Sequence, residues 1–143
     1  MKTLAFVSLV FIVVQTLFAQ TAEFTSEKKS TVVDNLNVAI KSENIGLQTS
    51  GATVLSELIS DAYLERSDAS VVMIPLLKML KEGKTDEERI AAAVALYQLG
   101  NNIGIYSLRG VALYDDNEKV ASICKNLYYS YHKLHGTEYL VTY

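Results

Sequence analysis

The chain has 143 residues, half of them apolar, and a formal net charge of −3. The mildly acidic balance argues against nucleic acid as a partner. A single cysteine, Cys124, excludes an internal disulfide, so a domain of this length must be held by packing alone.

Residues 1–19, MKTLAFVSLVFIVVQTLFA, carry one charge, Lys2, ahead of an apolar run that ends in the small residue Ala19. That is the layout of a secretory signal peptide. The alternative is an uncleaved anchor, because the run is close to the shortest that spans a bilayer. The Leu-Phe-Ala-Gln junction is similar to bacterial signal peptides, and cleavage after Ala19 would leave 124 residues with a net charge of −4. An exported protein, periplasmic or secreted, with no stable membrane insertion after cleavage, is the expectation. Residues 20–30 are polar and aperiodic and read as a flexible leader.

From Thr31 onward apolar residues recur at helical spacing. Val32, Val33, Leu36, Ala39 and Ile40 predict a first helix, with Thr31 and Asp34 at capping-box spacing. Ser42-Glu-Asn44 is a turn. Leu47, Gly51, Val54, Leu55 and Leu58 form the stripe of a second helix, and Ser60–Asp68 is a polar break. A third helix, capped by Asp68 or Ser70, carries Met73, Leu76, Leu77 and Leu80; Pro75 within it predicts a kink, and Gly83 ends it.

The stretch TDEERIAAAVALYQLG, residues 85–100, is the most informative. Thr85 and Glu88 have capping-box spacing, and three acids occupy the positive end of the helix dipole. Ile90, Val94 and Tyr97 make one apolar line, while Ala91, Ala92, Ala93 and Ala95 keep the other faces small. Too short for a membrane span, the run predicts a helix packed by neighbours on more than one side. A fifth helix over Gly104–Tyr114 has Gly110 in its middle, a cost of about 1 kcal/mol that implies close approach by a neighbouring helix. A sixth, from the Asp115-Asp-Asn117 turn to Leu134, has Val120, Ile123, Cys124, Leu127, Tyr131 and Leu134 in one row. In the tail, 136–143, Tyr139, Val141 and Tyr143 alternate, an extended pattern.

Six helices in three pairs suggest a repeat of irregular period. The second helices align on Leu47, Ile90 and Val120, then on Gly51, Val94 and Cys124. Residues 72–100, VMIPLLKMLKEGKTDEERIAAAVALYQLG, resemble a HEAT repeat: Pro75 in the first helix, Leu76 to Leu80 after it, Asp86 and Arg89 entering the second helix, and the alanine run closing at Gly100. The flanking units lack the proline and the arginine. The resemblance covers about Thr31 to Leu134. It implies an all-α, short right-handed α-solenoid of about three antiparallel helix pairs over residues 31–135, and an Arg89 paired with an acid of a neighbouring turn, Asp115 or Asp116.

For each reactive residue type a structural role competes with a chemical one. Cys124, on the apolar stripe, reads as a packing residue. His132 and His135 would need more ligands to hold a metal than Glu138 supplies. Asp115, Asp116, Asn117 and Glu118 lack calcium-loop spacing and read as helix caps. No catalytic, cofactor or metal site is expected. Tyr128, Tyr129 and Tyr131 cannot all face one core; either Tyr129 and His132 belong to a binding face, or the tail with Tyr139 and Leu140 covers them. The expected function is a monomeric, non-catalytic module that binds another protein or peptide through a face of second helices, including Gln48, Ala52, Ser56, Ala95, Gln98, Tyr129 and His132. Three helices about 10 Å apart and about 24 Å long offer on the order of 700 Å², close to the ~800 Å² per partner of an ordinary interface. A helical carrier of an apolar small molecule is the alternative.

Overall fold

The computed structural model describes residues 25–137, which are all-helical with no strand. The helices are α1 (Ser26–Ile40), α2 (Ile45–Ser60), α3 (Met73–Glu82), α4 (Asp86–Leu99), α5 (Asn102–Tyr114) and α6 (Glu118–Leu134), with a 3₁₀ turn at Ser70–Val72 leading into α3. The segments read as a signal peptide and as the last part of the tail lie outside the described residues.

Consecutive helices pair, α1 with α2, α3 with α4 and α5 with α6. Across the pairs α4 lies against both α2 and α6, and α3 contacts both α1 and α5. One core results, with Leu55, Leu76, Leu80, Leu96 and Leu108 fully buried. The expectation for the alanine-rich stretch holds: Ala91, Ala92, Ala93, Ala95, Leu96 and Leu99 of α4 are all buried, and from Ile90 to Leu99 only Ile90, Val94, Tyr97 and Gln98 are half-open.

Four expectations are corrected. The first helix begins at Ser26, not Thr31, so residues 26–30 are helical rather than a loose leader. Thr31 lies inside the helix, its hydroxyl donating to Glu27 O at 3.0 Å. Apolar periodicity marks only the buried part of a helix, and this first turn is mostly exposed; Lys29 ties it to Asp68 at 3.7 Å. Pro75 is not interior to its helix: it occupies the third position of α3, where a backbone N–H has no intrahelical acceptor to lose, so the cause expected for a kink is absent. The polar break conceals a core residue, Leu64, with buried Ala69 just beyond it; the N–H groups of Tyr63 and Leu64 both donate to Leu58 O, folding the loop back under α2. Fourth, a Cβ on Gly110 would meet nothing within 4 Å, so no helix approaches there.

Close approach occurs at other glycines. A Cβ on Gly51 would stand 3.0 Å from Ala39 Cβ and 3.2 Å from Ile40 Cγ1, so α1 and α2 touch at this point. Gly83 ends α3 with φ −57°, outside the left-handed region; a side chain there would collide with Met79 O at 2.6 Å and Arg89 Cγ at 2.8 Å. Replacing Gly110 by alanine should therefore stabilise the fold by about 1 kcal/mol, whereas Gly51→Ala should destabilise it by about 1–3 kcal/mol through overpacking. Urea unfolding followed by circular dichroism measures both. Equal effects of the two substitutions would contradict the packing described.

Candidate functional site

Arg89 is the most heavily engaged side chain. It enters α4 one residue after Glu88 and turns back toward α3, where Nε donates to Leu80 O at 2.8 Å. Its Nη1 donates to Asp115 Oδ1 at 3.1 Å and its Nη2 to Asp115 Oδ2, a bidentate pair whose side chains are only 13% and 17% exposed. Of the two acids expected, Asp115 is the partner. Beside it, Asn117 Nδ2 donates to Asp86 Oδ1 at 2.7 Å, and Lys119 pairs with Asp86 and Glu87 at 3.5 and 3.6 Å. The N-terminal ends of α4 and α6 and the C-terminal end of α3 thus meet in one polar knot. The hydrogen bond from Arg89 holds the Asp115 carboxyl below the usual carboxylate range, and the same bond raises the guanidinium.

Side-chain caps open each second helix. Asn44 accepts from Leu47 N, Thr85 from Glu88 N, and Asn117 from Lys119 N and Val120 N. Aligned on these caps, the middle helix shifts by two residues from the sequence alignment. Gly51, Ala92 and Cys124 then coincide, as do Leu55, Leu96 and Tyr128, and all six are buried. The apolar pattern misled the alignment because Ile90 and Val94 stand on the open side of α4. On α6 the buried row is correspondingly Val120, Cys124 and Tyr128, while Leu134 is exposed.

The expected binding face is not assembled as drawn. Ala52 and Ala95 are 0% exposed and belong to no open surface, while Ser56, 7% exposed, sits at the bottom of a groove between α2 and α4. Gln48 lines a cleft beside α3, and Gln98 lines a different one with Arg66 and Leu64. Tyr129 and His132 both pack on Tyr128, with ring centroids 6.4 and 4.4 Å away. What the second helices do leave open is a shallow groove of about 330 Å³ lined by Thr49 and Thr53 of α2, Ile90 and Val94 of α4, and Lys119 of α6. The signal that could have found it was in the sequence: Ile90, Val94 and Tyr97 form an apolar line on a helix whose alanines already fill its inner faces.

The reactive residues are structurally occupied. Cys124 is fully buried, and burial pushes its thiol up to about 12. His132 Nδ1 lies 2.7 Å from Thr137 Oγ1, and His135 Nδ1 lies 2.7 Å from Tyr131 O while its ring stacks on Tyr131 at 4.1 Å. Burial, and then the neighbouring His135, depress the His132 basicity. Tyr131 donates to Gly100 O at 3.1 Å, anchoring α6 to the left-handed residue that ends α4. No group of three metal-ligating side chains occurs among the described residues, and no described helix is long and apolar enough to cross a membrane. Tyr139 and Leu140, expected as a possible cover, lie outside the described residues. No protein-family model matches the chain, and no curated protein or solved structure is significantly similar to it.

Asp115→Asn should cost about 1.5–3 kcal/mol, the scale of hydrogen bonds to charged groups. Its folded-state pKa is depressed, so the pair stabilises the protein above the ordinary carboxylate value of about 3.9 and loses that contribution as pH falls below it. Stability measured from pH 6 to 2 should decline more steeply in the wild type than in Asp115→Asn. Parallel profiles would refute the pair's contribution. Separately, Cys124 should resist thiol reagents at pH 8 in the native state and react fully in denaturant.

Proposed function

We propose that the chain is an exported, non-catalytic helical-repeat module of the HEAT kind, a short right-handed stack of three antiparallel helix pairs that binds another protein. The neighbour relations support the stack: the second helices adjoin in the order α2, α4, α6, and the first helices in the order α1, α3, α5. The Arg89–Asp115 pair supports it further, because it joins one unit to the turn of the next. Export rests on the character of residues 1–19.

The observation that carries the binding reading is the groove along the second helices. Its rim is hydroxyl-bearing and charged, Thr49, Thr53, Glu87 and Lys119, and its floor offers Ile90 and Val94. A polar rim around a small apolar centre suits reversible protein contact. Fully buried leucines between the layers argue against a carrier that needs an apolar cavity.

Val94→Arg should leave the helical circular-dichroism spectrum unchanged and abolish retention of the partner when the mature chain is used for affinity capture from periplasmic extract. Identical capture by the wild type and Val94→Arg would overturn the groove as the binding face.

A further inference from the structure

A cleft of about 940 Å³ lies between the α1–α2 turn and α3, and it contains an unusual carboxylate. Glu88 lines it while being only 4% exposed, the one acidic side chain buried among the described residues. Its Oε2 accepts from Lys84 N at 2.7 Å, closing the cap of α4. Among the described residues no donor is bonded to Oε1, and no lysine or arginine forms an ion pair with the group. The equivalent positions counted from the caps are apolar, Leu47 in α2 and Val120 in α6. Asn37 Oδ1 is the one buried side-chain oxygen without a partner among the described residues, so Oε1 keeps solvent access and a cation can reach it.

The walls and the rim define that cation. Ile40, Ile45, Ile74 and Met79 line the cleft and suit an aliphatic stem. Lys41, Lys78 and Lys84 are exposed at its margin, together with Glu43 and Glu82. Lys78 is engaged with Glu82 at 3.9 Å. The margin is therefore net positive around a negative floor. We propose that this cleft receives a lysine side chain from an acidic peptide segment: the ammonium bonds Glu88 Oε1, the methylenes lie on the isoleucines, and flanking carboxylates meet the marginal lysines. The proposal rests on the protein-binding reading and adds a second contact whose chemistry is named.

Glu88→Gln is a clean probe, since glutamine can also close a capping box. The blocked peptide Ac-Asp-Ala-Lys-Ala-Asp-NH₂ and its norleucine counterpart are titrated into the ¹⁵N-labelled protein. The lysine peptide should shift amides of residues 41–48 and 74–88, the norleucine peptide should not, and Glu88→Gln should weaken binding on the order of 30-fold, as loss of one partner of a desolvated charge pair does. Equal binding of the two peptides, equal binding by Glu88→Gln, or no shift at millimolar peptide would overturn the site. None of these results bears on Val94→Arg and partner capture, so the groove reading stands or falls separately.

Discussion

Between α2 on one side and α6 on the other, with α3 also against it, α4 has almost no direction in which a long side chain fits. Helix axes that close approach need small residues at the contact, and alanine provides them without loss of helix propensity. That single constraint sets the composition of residues 91–95 and the burial of Ser56 and Ala52 on the facing helix. It also decides where function can reside. A helix with no free inner face has little room for a pocket, and its chemistry is displaced to its open edge and its ends.

The ends are held differently. At the N-terminal end of α4 a guanidinium bridges the Leu80 carbonyl of α3 and the turn before α6, so a single residue fixes the relative position of three elements. Arginine suits this task because its planar fork satisfies a carboxylate bidentately while Nε reaches elsewhere. At the other end, the Tyr131 hydroxyl closes on Gly100 O. The shared end of α4 and α6 therefore has matched polarity, and both helices run in the same direction.

Much of this was legible beforehand. The six helices, the crowding around residues 91–95 and the packing role of Cys124 follow from residue size and spacing, while the pairing of Arg89 with Asp115 or Asp116 came only from the resemblance to a HEAT repeat. The misreadings have physical sources. Gly110 was credited with a close contact because a helical glycine needs compensation, yet Gly104 and Gly51 are where neighbours crowd. Pro75 suggested a kink because the 3₁₀ turn preceding α3 left no mark in the apolar pattern. Ala52 and Ala95 read as surface residues because small apolar residues carry no sign of which side they face; only the neighbouring helix determines that. Buried Glu88 was read solely as a cap, since spacing reveals the N–H it serves but not the depth at which it sits.

The two seams beside α4 are built from different materials. Toward α6 it is riveted at both ends by charged and hydroxyl groups, whereas toward α2 the contact consists of small side chains with no polar fastening in the bonds described. The C-terminal pair is thus fastened to α4 by polar bonds, whereas α2 is held to it by apolar packing around Ala52 and Leu55. Slippage along the unriveted seam would alter the width of the groove between Thr53 and Val94 while leaving the opposite seam intact, so compliance and grip would reside in the same crease.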